Sequence, residues 1–573
     1  MKGRVLQAFL YVLCIALFAS IASARSAVRY TVRIPSADTS ALGQLLEREN
    51  FDVAGRDRER KTVSVIVSVS DLRRLRAMGL EPQIVGGPDR GIPPGYEDFD
   101  TIAARLRTLA DTYPTISRMV DVGAEFGVGP TAEGRPLIAL KISDNVDRDE
   151  DEPALLIVSG HHAREIVTPV LALRIMERLL DRYGVDERIT RIVDENEIWI
   201  APVWNPDGYA HVFEADSYWR RNRSALGFGL HGADLNRNYP FGWNGLAAGS
   251  TDPTVETYRG RFPASEKETQ NMLALGVDRR FAKVLDFHSH GREVLYTYND
   301  PSSMPEPVED WYMAKAAELS IRMGYGGRIR KPSAEGEHYQ WQLNELGGFC
   351  FLVETADAFH PPHRAALDEA ERIWPGVAWF LDSGIPLKGH VTETVTGRPI
   401  EADIEIAGLV YPAGDRHRSG GAWGRFHHFV PPGRHEVTVS APGYAARTVN
   451  VEICEGESTT METQLGSGPA LTVAGRVSPG ENLTVSFDYP GGAGHHYFCR
   501  IVRAADDTGA ARAALVPNWS GVLDRSGRAE AILPIADDPS LIGQSFQMAY
   551  FTFTKTWNSP TAASASVTLT VED

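Results

Sequence analysis

Leu155-Leu156-Ile157-Val158-Ser159-Gly160-His161-His162-Ala163-Arg164-Glu165 is the stretch on which the reading of the whole chain turns. Its apolar run is short and has no polar face. It therefore reads as a strand buried on both sides, as in a mainly parallel or mixed sheet with helices on both faces. A helical pattern resumes near Thr168, and the His-x-x-Glu pair falls in the turn between. Imidazole and carboxylate at that spacing can hold one zinc ion, provided a third ligand comes from elsewhere and a fourth position is left for water. The alternative is a His and a Glu solvated on a loop. In sheets of this kind ligands gather beyond the carboxyl ends of the strands, so those ends are where the rest of a site belongs.

With this one, apolar strand patterns lie at 137–142, 154–158, 197–203, 284–287 and 349–353, with helical patterns such as 100–113 and 168–183 between them. Val284-Leu285-Asp286-Phe287-His288-Ser289-His290 is again a buried strand ending in histidine, and its period of two puts His288 and His290 on one face. Phe349-Cys350-Phe351-Leu352-Val353-Glu354-Thr355 ends an apolar strand with a lone carboxylate, which is costly without a partner or a task. Beside a zinc-bound water such a carboxylate can take and pass on a proton. Otherwise it is a salt-bridged strand end. Tyr218-Trp219-Arg220-Arg221-Asn222-Arg223 and Gly232-Ala233-Asp234-Leu235-Asn236-Arg237-Asn238-Tyr239 carry guanidiniums suited to anionic groups, or else form a solvated basic loop.

Outside this α/β region the patterning changes. Residues 25–90 read as a small α/β module, with strands at 30–34 and 63–67, a helix carrying Leu42, Leu45 and Leu46, and a second helix carrying Leu72, Leu75 and Met78 that Ser70 can cap. After Gly384 the helical period disappears, and two all-β sandwich modules follow at 385–465 and 466–573. Lys2 and Arg4 precede an apolar run and Ala22-Ser23-Ala24, the pattern of a secretory signal peptide over 1–24. Its removal leaves Cys350, Cys454 and Cys499, an odd number. The expectation is a secreted protein, extracellular or periplasmic, with no membrane insertion after processing.

The 573 residues suit several domains, and 43% hydrophobic with 23% charged residues excludes wholesale disorder. A formal charge of −17 makes nucleic acid a poor candidate partner. Four cysteines are too few for a disulfide scaffold.

Taken together, His162-Ala163-Arg164-Glu165, Asn205-Pro206-Asp207-Gly208, Trp219-Arg220, Asp234-Leu235-Asn236-Arg237-Asn238, His288-Ser289 and Glu354 resemble the zinc metallocarboxypeptidases of the carboxypeptidase A type. Secreted bacterial carboxypeptidase T is the nearest likeness, over residues 96 to 381. The resemblance implies a catalytic domain over 91–384 and one Zn²⁺ held by His162, Glu165 and His288, the His₂Glu set known from carboxypeptidase A itself. It implies Glu354 as general base and acid, Arg220 at the developing oxyanion, Asn236 and Arg237 on the terminal carboxylate, and Arg164 at a secondary subsite. The implied activity is removal of C-terminal residues from peptides or proteins with a free C-terminus.

Two features depart from the family pattern. The slot of its mobile substrate-binding tyrosine falls on Pro332, and Tyr339 and Gln340 stand where a specificity residue is expected, with Glu335 and Glu337 nearby. The flanks resemble a propeptide at 25–90, a transthyretin-like (carboxypeptidase regulatory-like) module at 385–465, and a C-terminal β module that could bind a cell-surface or extracellular ligand. Two alternatives remain open: a peptidoglycan-peptide amidase or endopeptidase on the same scaffold, and a catalytically inactive binding protein.

Overall fold

The computed structural model describes residues 29–49, 51–57, 60–86, 91–300, 303–393 and 396–466, and with interruptions the strands between 470 and 570. The signal-peptide segment lies outside the described residues. The chain divides into two compact units, one formed by Met1–Ser383 with Pro412–Asp415, the other by Gly384–Tyr411 with Arg416–Asp573.

The first unit opens with a small module: β1 (Tyr30–Pro35), α1 (Thr39–Arg48), β2 (Asp52–Asp57), β3 (Thr62–Val67), α2 (Val69–Ala77) and β4 (Gln83–Gly86). Its four strands form an antiparallel sheet in the order β2-β3-β1-β4. Val32, Ile34, Val63, Val65 and Val67 pack on Leu46, Leu72 and Leu75 of the two helices. The cap of α2 is Ser68 rather than Ser70. Its hydroxyl accepts from the Asp71 amide while the Asp71 carboxylate accepts from the Ser68 amide, a reciprocal capping box that Ser70 is placed too late to make.

The large sheet of the first unit holds β5 (Ser117–Asp121), β6 (Ile138–Ile142), β7 (Ala154–Ser159), β8 (Glu197–Ala201), β9 (Lys283–Ser289), β10 (Glu293–Leu295), β11 (Ile329–Arg330) and β12 (Phe349–Thr355). Their order is β11-β10-β12-β9-β7-β8-β6-β5. The central run β12-β9-β7-β8 is parallel throughout; β10-β12, β8-β6 and β6-β5 are antiparallel, and the edge pair β11-β10 is parallel. This is the mixed, largely parallel α/β arrangement expected. Every residue of β7, β8 and β9 is buried, because helices such as α3 (Phe99–Thr112), α4 (Val167–Arg182) and α5 (Pro206–Glu214) and later α6 (His363–Asp382) belong to the same unit and α4 packs on α6. The parallel run matters for function: β7, β9 and β12 are neighbours and end on the same edge of the sheet.

The described elements of the second unit are strands. Residues 387–465 form two three-stranded sheets: 425–428, 387–393 and 459–465 in one, 403–406, 433–440 and 447–453 in the other. Leu387–Glu393 alternates strictly between buried and half-buried positions, the mark of a strand with one face on a core. The strands after 470 enclose a second cluster that includes Val485, Phe487, Cys499, Ile501 and Met548.

Candidate metal centre and active site

The carboxyl ends of β7 and β9 deliver the three metal-ligand candidates to one point. His162 Nδ1 lies 2.8 Å from Glu165 Oε1, His288 Nδ1 lies 3.1 Å from Glu165 Oε2, and the two Nδ1 atoms are 3.1 Å apart. The three side chains form one compact buried donor group. The turn that brings His162 and Glu165 round begins at Gly160, whose φ of +70° suits glycine. Asn205 ties that turn to the start of α5: its side chain accepts from the Gly208 amide and donates to the His161 carbonyl at 3.1 Å. Asp207, beside it, is buried and accepts from Thr131, the Glu133 amide and Arg135, so the Asn-Pro-Asp-Gly motif braces the site from outside.

The donor set fits zinc: two neutral imidazole nitrogens and one carboxylate, converging from rigid strand ends. Their far atoms fit too. His162 Nε2 faces Asp234 Oδ1 at 3.1 Å, which places its proton on Nε2 and leaves Nδ1 free to coordinate. Burial of Asp234 would raise its pKa, but the Arg220 guanidinium and His162 hold it well below the usual carboxylate range. Burial acts the same way on Glu165 and is likewise outweighed, by His162 and His288.

Glu354 sits at the end of β12, directly beside His288 in the parallel register. Its Oε2 is buried without a hydrogen-bond partner. Burial and the neighbouring Glu165 push its pKa up to about 8, against the opposing pull of His288 and Arg330. A cavity of about 70 Å³ connects Glu354 with His162, His288, Arg220, Arg237 and Glu337. Arg220 is held by Asp234 through Nε at 2.9 Å and Nη2 at 2.8 Å. Arg237 donates to the Asn236 carbonyl at 2.6 Å and to Glu337 Oε1 at 3.2 Å. The Asn236 side chain is engaged on both sides, with its oxygen accepting from the His338 amide at 2.8 Å and its nitrogen 3.3 Å from His288 Nε2.

Tyr339 and Gln340 lie elsewhere. Both are fully buried; Tyr339 donates to the Thr297 carbonyl, and Gln340 donates to the Ala334 carbonyl and to Glu337. The residue of that segment that faces the cavity is Glu337. Burial raises its pKa to about 7 despite Arg237. Arg330, two residues before Pro332, also lines the cavity and donates to Glu293 Oε1 at 2.6 Å. Arg164 is buried under the N-terminal module, where Asp52 grips both ends of its guanidinium and Phe359 lies against its face. Asp234 carried no role in the sequence reading, though it had a visible signal, since it opens the Asp-Leu-Asn-Arg-Asn motif.

Comparison with known proteins bears on this geometry. The family model described as zinc carboxypeptidase matches residues 102–359. Carboxypeptidase B of Astacus astacus is 33% identical over 299 residues, which are 49% of this chain and 94% of that protein. Carboxypeptidase A1 of Bos taurus is 29% identical over 301 residues, 50% of this chain and 70% of the other. Among solved structures, the carboxypeptidase A from Helicoverpa armigera superposes with a TM-score of 0.52 at 20% identity, covering 62% of this chain and 98% of that one, a likeness of fold. With an α/β sheet of the carboxypeptidase kind and a buried His-Glu-His donor group at its strand ends, the chain belongs to the zinc carboxypeptidase family and is a metallocarboxypeptidase.

Proposed function

We propose that the chain is an exported exopeptidase that hydrolyses the C-terminal peptide bond of peptides and proteins, kept covered by its N-terminal module until that module is released. His162, Glu165 and His288 would hold one zinc ion, and the chemistry it would supply there is Lewis acidity toward a carbonyl and activation of water near neutral pH. Glu354, unpartnered at Oε2 and facing the same cavity, takes a proton from the attacking water and returns it to the leaving amine nitrogen. Arg220, oriented by Asp234, has N–H donors to spare for the oxygen on which negative charge develops. Arg237 receives the substrate's terminal carboxylate, and Asn236 holds the loop that aims it.

The observation that carries this reading is the position of Arg237. Its guanidinium is nearly buried, lines the same cavity as the donor group and Glu354, and is held by Glu337 through a single contact. An enzyme cutting internal bonds has no anion to place on it. The covering role rests on Gly55, where an added Cβ would stand 2.6 Å from the His290 carbonyl, and on Glu47, Ala54 and Arg56 lining the cavity from the module side. Secretion rests on the 1–24 segment of the sequence; among the described residues no helix is long and apolar enough to cross a membrane.

The test compares a peptide acid with its C-terminal amide on processed native protein and on Arg237→Ala. The native enzyme should cut the acid far faster. Arg237→Ala should lose roughly 30- to several-thousand-fold in kcat/KM on the acid, the range for truncating one side of a buried charged pair at about 2–5 kcal/mol. Loss on the amide should be much smaller, since that contact is already absent. Equal cleavage of both peptides by native protein would replace the exopeptidase with an endopeptidase or amidase.

A further inference from the structure

His161, Asp286 and His338 form a second buried group beside the metal site, and the mechanism above uses none of them. All three are fully buried. Asp286 Oδ2 lies 2.9 Å from His338 Nδ1, and Asp286 Oδ1 lies 3.2 Å from both His161 Nδ1 and His288 Nε2. The outer nitrogens are also occupied: His161 Nε2 is 3.0 Å from the Tyr239 hydroxyl, and His338 Nε2 is 3.1 Å from the Gln342 amide nitrogen.

We propose that Asp286, held by His338 and lying beside His161, is a positioning residue that fixes the tautomer and aim of the zinc ligand His288. This rests on the assignment of His288 as a ligand. The argument is one of proton placement. His288 presents Nδ1 to Glu165 and His162, so Nδ1 must be unprotonated to coordinate and the ring proton sits on Nε2. Two groups lie near Nε2. The Asn236 nitrogen cannot accept, because the Asn236 oxygen is already turned to the His338 amide, leaving the NH₂ toward His288. Asp286 can accept, and as the residue two before His288 it rises from the same face of β9. A carboxylate alone there could swing between partners. His338 holds Oδ2 through a 2.9 Å hydrogen bond, so Oδ1 stays aimed at His288. Both metal-binding histidines then have a carboxylate behind them, Asp234 for His162 and Asp286 for His288. Asp286 Oδ1 and His161 Nδ1, 3.2 Å apart, are buried without an aligned hydrogen bond, so Oδ1 is the acceptor left open to His288.

The test measures zinc stoichiometry, zinc affinity by chelator competition, and the visible spectrum of the cobalt-substituted protein. Native protein should hold one zinc per chain, and His288→Ala should lose it. Asp286→Asn should weaken zinc binding by about 10–100-fold, the usual effect of losing an outer-shell partner, and shift the cobalt bands. His338→Leu should weaken it less, and His338→Asn, which keeps a donor near the Nδ1 position, should recover much of that loss. If Asp286→Asn does not fold, the His338 pair alone decides: equal zinc affinity in the two overturns the proposal. So does native affinity with unchanged cobalt bands in Asp286→Asn, which would make the group structural. Two zinc ions per native chain, one lost in His338→Leu, would make it a metal site instead. Retention of zinc by His288→Ala would remove the ligand assignment, and the proposal with it, a result separable from all the others.

Discussion

Glu354 shows what a single residue can and cannot announce. A carboxylate at the end of an apolar strand was legible from the sequence as a group needing a partner or a task. That its Oε2 has no hydrogen-bond partner, and that it stands beside His288, required the register of two strands separated by some sixty residues. Its raised pKa, about 8, follows from burial and from Glu165 across the site. Glu354→Gln keeps the shape and most of the hydrogen bonding but cannot accept a proton. It should bind zinc as native protein does while kcat falls by about 10²–10⁴-fold, the usual worth of positioned acid–base groups. Parallel zinc analysis and steady-state kinetics check this, and near-native turnover would make Glu354 structural. Tyr339 and Gln340 show the converse. Their positions in the motif invited a specificity role, but the helical turn they belong to points both inward, and only Glu337 reaches the cavity. Spacing along a chain does not say which side of a short helix faces a site.

At the scale of elements, the strands were legible from apolar runs, as were the histidine and the carboxylate that end two of them, but not how far the ladder carries those ends. The pattern at 284–287 extends in the structure to Lys283–Ser289, and that at 349–353 to Phe349–Thr355. The added residues are polar, and they remain in the ladder because each has a partner on the next strand: His288 opposite Glu354, Ser289 opposite Thr355. His288 and Glu354 sit among those added residues, past the point where hydrophobicity stops marking a strand. β2 and the brief β10 and β11 escaped notice because Asp52–Asp57 and Ile329–Arg330 carry charge where an apolar period was sought. The turn after β7 allows a pointed prediction. A Cβ at Gly160 would lie 3.1 Å from Val203 Cα, in a backbone region that costs a non-glycine residue about 1–2 kcal/mol. Gly184 has a similar φ of +73° but open space around it. Both Gly160→Ala and Gly184→Ala should lower stability by that backbone amount. Only Gly160→Ala should also displace His162 and Glu165 and weaken zinc binding. Denaturation with chelator competition on the two variants separates the effects, and equal zinc affinity would show that the turn is free to adjust.

For the whole molecule, the sequence marked the change from α/β to all-β character after 384 and the small module ahead of the sheet, because periodicity survives without knowledge of contacts. It could not show that the first module lies against the catalytic cavity, since those contacts join residues more than a hundred positions apart. The strongest is Asp52 with Arg164. Arg164 is fully buried and Asp52 nearly so, and burial of Asp52, which would raise its pKa, is outweighed by that guanidinium. Arg29 adds contacts to Asp216 and Glu256, and Arg56 donates to Ser333 at 2.9 Å. Leaving one partner of a buried pair uncompensated costs about 3–5 kcal/mol, so Asp52→Asn should shift the balance between covered and open states by roughly 10²–10³-fold or more toward open. The uncleaved native chain should therefore be far less active than the chain cut between the module and the sheet. The uncleaved Asp52→Asn chain should lie much closer to its cut form. Arg56→Ala, which leaves Arg164 paired, should move less. Activity before and after limited proteolysis on the three chains is the measurement. Full activity of the uncut native chain would mean that the module does not bar substrate from the cavity, and that Arg164 pairs with Asp52 to hold the fold together rather than to hold the site closed.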